Sequence, residues 1–230
     1  MSAALAKFIR EELLHQDGVR KHAPARRATI LYSGDSPSEG VFFLESGFVK
    51  LLMRGRDGKE VLVSIVPPGQ IFGEQALYSN GLRMLSAEVM QEGTVYEIPR
   101  DLFVTFCDSK PEIWRHLSEL FASRQKDLEQ KVALLCLYDV ESRILHYLGS
   151  LASVFGANAA GGVDYSLPLS QSELASLIGA TRETTSTTLN ALARRGLIKL
   201  GRRLLIVSSA TALSAAANER MAKAANASHE

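Results

Sequence analysis

The 230-residue sequence is poor in the residues that metal and redox sites need. It holds two cysteines, Cys107 and Cys136, in apolar helical context and without CxxC spacing, so neither a disulfide framework nor a cysteine-held metal or iron–sulfur cluster is expected. Both thiols read as buried and free. No histidine falls between Thr29 and Ile98, which removes the clustered imidazoles a β-barrel metalloenzyme would use. His15 and His22, the candidate axial ligands for a haem, read as surface residues. With no clustered catalytic group and no metal set, an enzyme is not expected. No apolar run approaches the ~18 residues of a membrane span, and no apolar signal core opens the chain, so a cytoplasmic protein without a membrane partner is expected. A formal net charge of +1 excludes a generally basic coat for nucleic acid.

One stretch, Leu169 to Val207, is nonetheless a basic island, its cations outnumbering its acids. Ser170 followed by Glu173 is a capping box, and Leu174, Leu177 and Ile178 form the apolar stripe of a first helix. Gly179 permits a tight turn, and Thr181 is placed to cap a second helix ending near Arg195, just before Gly196. On that second helix Thr185, Leu189 and Leu192 share an inner face, while Arg182, Glu183, Ser186 and Thr187 project together from the opposite one. Residues 184 to 188 are an unbroken Thr/Ser run, a poor choice for helix propensity that a binding surface would justify. The segments LIKL and LLIV then flank Gly201-Arg202-Arg203, a wing whose tip carries cations. Arg182, Arg194, Arg195, Lys199, Arg202 and Arg203 face only Glu173 and Glu183 within this motif. A winged helix-turn-helix that meets double-stranded DNA is the direct reading. A ligand-binding or protein-interaction module, whose winged domain contacts protein rather than DNA, is the alternative.

Upstream, residues 1 to 27 open with an amphipathic helix (Leu5, Phe8, Ile9, Leu13, Leu14) followed by a basic patch at Arg20, Lys21, Arg26 and Arg27. From Thr29 to Ile98 short apolar or alternating runs are separated by turn residues, the texture of an antiparallel sandwich or barrel, with Asp57-Gly58 as a hairpin turn. Pro99 to Cys107 reads as a short helix, and Pro111 starts a long one. In the long helix Trp114, Phe121, Leu128 and Leu135 recur every seven residues, with Leu117, Leu120 and Val132 widening the stripe, so self-pairing into a homodimer is expected. The expected dimer interface is Trp114, Leu117, Phe121, Leu128, Val132 and Leu135. A further helix, Val140 to Val154, ends in a flexible Gly/Ala segment at residues 156 to 162, and an Ala-rich tail helix spans Ala210 to Ala222 with Leu213 and Met221 as anchors. The fold class is α+β: an N-terminal antiparallel β-sandwich or jelly roll (1–110), a dimerisation helix (111–138) and a winged helix-turn-helix domain with its tail (139–230).

That order, together with Gly34-Asp35, Val41 to Lys50 (VFFLESGFVK), Pro68 to Glu74 (PGQIFGE), Tyr138 to Ile144 (YDVESRI) and Gly179 to Thr184 (GATRET), resembles the cyclic-AMP receptor protein and fumarate-nitrate regulator (Crp/Fnr) family of transcription factors. Nearly the whole chain is covered. The resemblance implies a cyclic-nucleotide-binding-like effector domain, a palindromic DNA site and RNA polymerase as a further partner. By it, Arg182 and Glu183 read a guanine and a cytosine, with Ser186 and Thr187 beside them; Ser170, Gln171, Ser172 and Thr181 hold phosphates, joined by Arg202 and Arg203 of the wing. The pocket residues are Gly73, Glu74, Arg83, Leu85, Ser86 and Leu128. Cyclic-AMP-binding members carry an Arg-Ser pair after the Gly-Glu motif, whereas here Leu85 or Met84 occupies the Arg position, depending on where a one-residue gap falls. Losing that charge-assisted contact costs roughly 1.5 to 3 kcal/mol, so ordinary cyclic AMP is not the expected effector, although Arg83 substitutes if the loop shifts. The adenine-contacting Thr-Ser pair maps to Leu128 and Glu129. A cyclic nucleotide, another small molecule and no effector at all stay open at this point. The Arg common at the next reading position is Thr187, which cannot make the bidentate guanine contact.

Overall fold

A computed structural model describes residues 3–27, 29–77, 81–156, 165–201, 204–207, 212, 213, 215–217, 219 and 220. The rest of the expected Gly/Ala loop after Gly156, the wing-tip Arg202 and Arg203, and the tail anchor Met221 lie outside the described residues. The chain divides into two compact units, 1–128 and 129–230.

The first unit begins with α1 (Ala3–Phe8), which runs on into a π-helical turn at Ile9–Leu13. Two antiparallel four-stranded sheets follow. One pairs β1 (Arg20–Ala25), β8 (Gly93–Pro99), β3 (Gly40–Leu44) and β6 (Gln70–Phe72); the other pairs β2 (Ile30–Tyr32), β7 (Ser86–Gln91), β4 (Phe48–Arg54) and β5 (Glu60–Val66). The β4–β5 hairpin turns at Asp57-Gly58 as expected. Every residue of β3 is buried because both faces of that strand are covered. Its alternate residues Phe42 and Leu44 join Val49, Val66, Phe72 and Val89 in the core between the sheets. Val41 and Phe43 join a second core formed with Leu5, Ile9, Leu13, Phe103 and Phe106. These last two residues come from α2 (Arg100–Asp108), and Ile113, Leu117 and Leu120 of α3 (Pro111–Leu137) complete the cluster.

Leu117 therefore corrects the expected dimer stripe. It is fully buried in its own protomer's core, because Ile113, Leu117 and Leu120 recur at i, i+4 and i+7 on the side of α3 that faces α1 and α2. Trp114, Leu128, Val132 and Leu135 remain 37 to 59% exposed, the last three lying further along α3 than the residues that pack into this cluster. The cysteines also part company. Cys107 is buried, which pushes its thiol up to about 12 and leaves it unreactive, whereas Cys136 is exposed near the end of α3. Arg20 and Lys21 of the basic patch begin an edge strand: Arg20 pairs with Glu97, and Lys21 lies over the Tyr96 ring.

The second unit holds the end of α3, α4 (Val140–Gly156), α5 (Gln171–Ile178), α6 (Arg182–Arg194) and a three-stranded sheet in the order β10 (Ile198–Gly201), β11 (Leu204–Val207), β9 (Tyr165–Leu167). Ile144, Leu145 and Leu148 of α4 are fully buried, as are Ile178, Leu189, Leu192 and Val207. In the tail, Leu213 and Ala217 are buried and the described residues from 212 to 220 are helical.

Candidate nucleic-acid interface and sandwich pocket

Ser170 and Glu173 make the full reciprocal cap. The Glu173 N–H donates to Ser170 Oγ at 3.1 Å, and the Ser170 N–H donates back to Glu173 Oε2 at 2.8 Å. The Ser170 hydroxyl also donates to that carboxylate at 2.7 Å, so its proton is already committed within the protein. At the other end of α5, Gly179 sits at φ 63°, ψ 44° and its N–H reaches Ala175 O. A side chain there would be strained by the backbone and would also lie 2.7 Å from Leu135 Cδ2.

Thr181 caps α6, its Oγ1 accepting the Thr184 N–H at 3.1 Å. The Thr/Ser run then divides by function. Thr185 is buried and donates to Thr181 O at 2.8 Å, and Thr188 donates to Thr184 O at 2.9 Å. Ser186 and Thr187 point the other way, with no hydroxyl partner among the described residues. Arg182, Glu183 and Thr187 are exposed, Ser186 is half-buried, and neither Arg182 nor Glu183 has an ion-pair partner among the described residues. The first two turns of α6 thus carry an unspent guanidinium, carboxylate and two hydroxyls on one face. Gln171 is half-buried and Ser172 exposed at the start of α5. Ile198↔Val207 to Gly201↔Leu204 register the wing, and β9 adds a third strand to it.

Two arginines here make structural contacts that the sequence did not show. Arg143 donates from Nε to Tyr138 O at 2.9 Å and from Nη1 to Ile178 O at 3.0 Å, filling carbonyls left open at the ends of α3 and α5. Arg195 is not an unopposed cation: its Nη1 donates to Glu141 Oε1 of α4 at 2.6 Å.

In the sandwich, Arg83 rather than Met84 or Leu85 turns inward. It is 4% exposed, its guanidinium lies 4.0 Å from the Tyr32 ring centroid and 5.3 Å from that of Phe42, and Nη2 donates to Gly40 O at 2.8 Å. Nη1 reaches Gly73 O at 3.4 Å, and Nε is buried with no partner among the described residues. Burial lowers the Arg83 pKa and raises that of the Tyr32 phenol. Glu74 forms an ion pair with Arg124 of α3, which also donates to Ile71 O. Ser86 Oγ accepts the Gly34 N–H at 2.8 Å. Met84 is exposed, Leu85 packs on the inter-sheet core, and Leu128 is exposed on α3. Gly73, Glu74 and Arg83 are thereby brought together; Leu85 and Ser86 have structural work of their own. Among the described residues no group of three His, Cys, Asp or Glu could hold a metal ion, and no described helix is long and apolar enough to cross a membrane.

A sandwich of this kind and a capped helix-turn-helix with a wing define a DNA-binding transcription regulator with a cyclic-nucleotide-binding-type domain. Residues 24–110 match the cyclic nucleotide-binding domain, and residues 142–216 match the Crp-like helix-turn-helix domain. The CRP-like cAMP-activated global transcriptional regulator of Mycobacterium tuberculosis is 31% identical over 188 residues, 82% of this chain and 84% of the relative. The solved structure of FixK2 from Bradyrhizobium japonicum shares the fold at a TM-score of 0.72 and 22% identity, covering 85% of this chain and 96% of that one. TTHB099 of Thermus thermophilus, a CRP-family transcriptional regulator, superposes at a TM-score of 0.71 and 25% identity, covering 86% and 96%. The chain belongs to the Crp/Fnr family of transcriptional regulators.

Proposed function

We propose that the protein is a cytoplasmic homodimer that reads a palindromic DNA site with Arg182, Glu183, Ser186 and Thr187, under the control of its sandwich domain by an effector other than ordinary cyclic AMP. The observation that carries the reading is the first two turns of α6, where these side chains are unspent while Thr184, Thr185 and Thr188 are tied into the helix. An Arg fork matches guanine O6/N7 and a carboxylate accepts from cytosine N4. Gln171 and Ser172 lie at a helix N-terminus, where phosphates are held; Ser170 and Thr181 serve as caps, their hydroxyls already engaged with Glu173 and Thr184. Arg202 and Arg203 complete the phosphate set from the wing. The proposed division is a regulatory domain at 1–110, a pairing helix at 111–138 and a DNA-binding domain at 139–230, with RNA polymerase as the further partner.

Trp114, Phe121, Leu128, Val132 and Leu135 form the proposed dimer stripe on α3, with Trp114, Leu128, Val132 and Leu135 left accessible and Phe121 partly buried against its own protomer's core. The Mycobacterium relative is named for activation by cyclic AMP. This chain has no cation at position 84 or 85, and its nearest guanidinium, on Arg83, is held against Tyr32, Gly40 and Gly73. Glu74 is paired with Arg124. Thermal unfolding against a panel of cyclic mono- and dinucleotides tests control: a ligand at 100 times its Kd adds about 2.7 kcal/mol of stability. A shift with cyclic AMP in the micromolar range would contradict the reading, and no shift with any nucleotide would exclude nucleotide control altogether. Duplex binding should fall steeply with salt, in proportion to the phosphates contacted. Salt-independent binding, or none, would favour a winged domain that contacts protein.

A further inference from the structure

Tyr138 and Asp139 form the joint between α3 and α4. Asp139 caps α4, with Oδ1 accepting the Ser142 N–H at 2.9 Å. The same carboxylate is gripped from the tail: Arg220 Nη2 donates to Oδ2 at 2.6 Å, and its Nε to Oδ1 at 3.3 Å. The third nitrogen of that guanidinium, Nη1, lies 3.1 Å from Glu141 Oε1, the atom that also accepts from Arg195 at 2.6 Å. Arg195 is the C-cap residue of α6. Arg220 is not at a loose end, because Leu213 and Ala217, seven and three residues before it, are buried on the same helical face.

We propose that this tail face is a latch: through Arg220 it holds the α3–α4 joint and the C-terminal end of the recognition helix in one arrangement competent for DNA. The inference rests on the reading of α6 as the recognition helix and goes beyond it by giving the tail a regulatory part. An isolated exposed ion pair contributes little. Here Arg220 is shared between Asp139 and Glu141, and Glu141, only 18% exposed, is shared in turn between Arg220 and Arg195. The network joins three separate segments, so losing one member loosens all of them. Holding them before DNA arrives lowers the ordering cost of docking.

The test uses the full chain with Arg220→Ala, Arg220→Lys and Glu141→Gln. Amide hydrogen exchange without DNA should quicken at residues 138–144 by about threefold to tenfold in Arg220→Ala, with DNA affinity falling by a similar factor. Arg220→Lys keeps the charge but not the fork and should fall between wild type and Arg220→Ala in both measurements. Adding Glu141→Gln to Arg220→Ala should have less effect than it has alone, as expected for members of one network. Unchanged exchange at the joint in all variants would overturn the latch. Faster exchange with unaltered DNA affinity would overturn its part in DNA competence. A wild-type chain that bound no duplex would overturn the recognition-helix reading itself, a failure distinct from the other two.

Discussion

Arg182 is the residue on which the DNA reading depends most. It is exposed and without an ion-pair partner among the described residues, so replacing it disturbs little in the free protein. Arg182→Ala should cost about 1 to 3 kcal/mol on the preferred duplex and relax preference at one base pair per half-site, measured by competition among single-substituted duplexes. At Gly179 the burden is structural. Its positive φ and the nearness of Leu135 both oppose a side chain, so Gly179→Ala should destabilise the second unit by about 1 to 3 kcal/mol in chemical denaturation. His146 supplies a pH dependence. Burial lowers its pKa in the folded chain below the ordinary 6.5. Below that value the unfolded chain binds the proton first, so stability present at pH 7 is lost as pH falls from about 6.5 towards the lowered folded value. His146→Gln should flatten that part of the stability profile.

The elements show how much of the molecule was legible in its sequence. The helix-turn-helix was readable to within a residue because its boundaries are chemical: Ser170 with Glu173, Gly179 and Thr181 each occupy the cap they suggest. The β4–β5 hairpin was readable from Asp57-Gly58 for the same reason. What escaped notice has little local signature. β1 reads RKHAPA, charged and containing a proline, and becomes a strand only by pairing with β8. β9 and β6 have three residues each, too few to show a period. In the pocket, proximity of Gly73, Glu74 and Arg83 followed from family motifs, but the inward turn of Arg83 depends on Tyr32 and Phe42, remote in sequence. Along the long helix the expected stripe includes core residues: Leu117 and Leu120 are buried and Phe121 packs partly buried against the same cluster, since a one-dimensional heptad pattern does not separate a pairing contact from a core contact. Two substitutions on α3 separate the core contacts from the proposed pairing contacts. Leu117→Ala should destabilise the first unit by about 2 to 5 kcal/mol, because it empties a filled core site. Leu128→Glu should leave the fold intact, since that side chain is 59% exposed in the single chain, yet shift the protein to monomer in sedimentation equilibrium.

For the whole molecule, the proposed arrangement joins a sandwich whose interior cation is already held by its own carbonyls and rings to a DNA-binding unit with its base-reading groups unspent. A dimer formed along α3 would present two such units, and twofold symmetry would then require a palindrome. Thr187 in place of an Arg should loosen one base pair in each half-site. The most direct measurement is selection of bound duplexes from a random pool by the wild-type chain, without nucleotide and with cyclic AMP. The account predicts a palindrome carrying a strongly preferred guanine–cytosine pair and one degenerate position per half-site, unchanged by cyclic AMP. Selection of no common sequence, of an asymmetric single site, or of a palindrome only when cyclic AMP is present would contradict it.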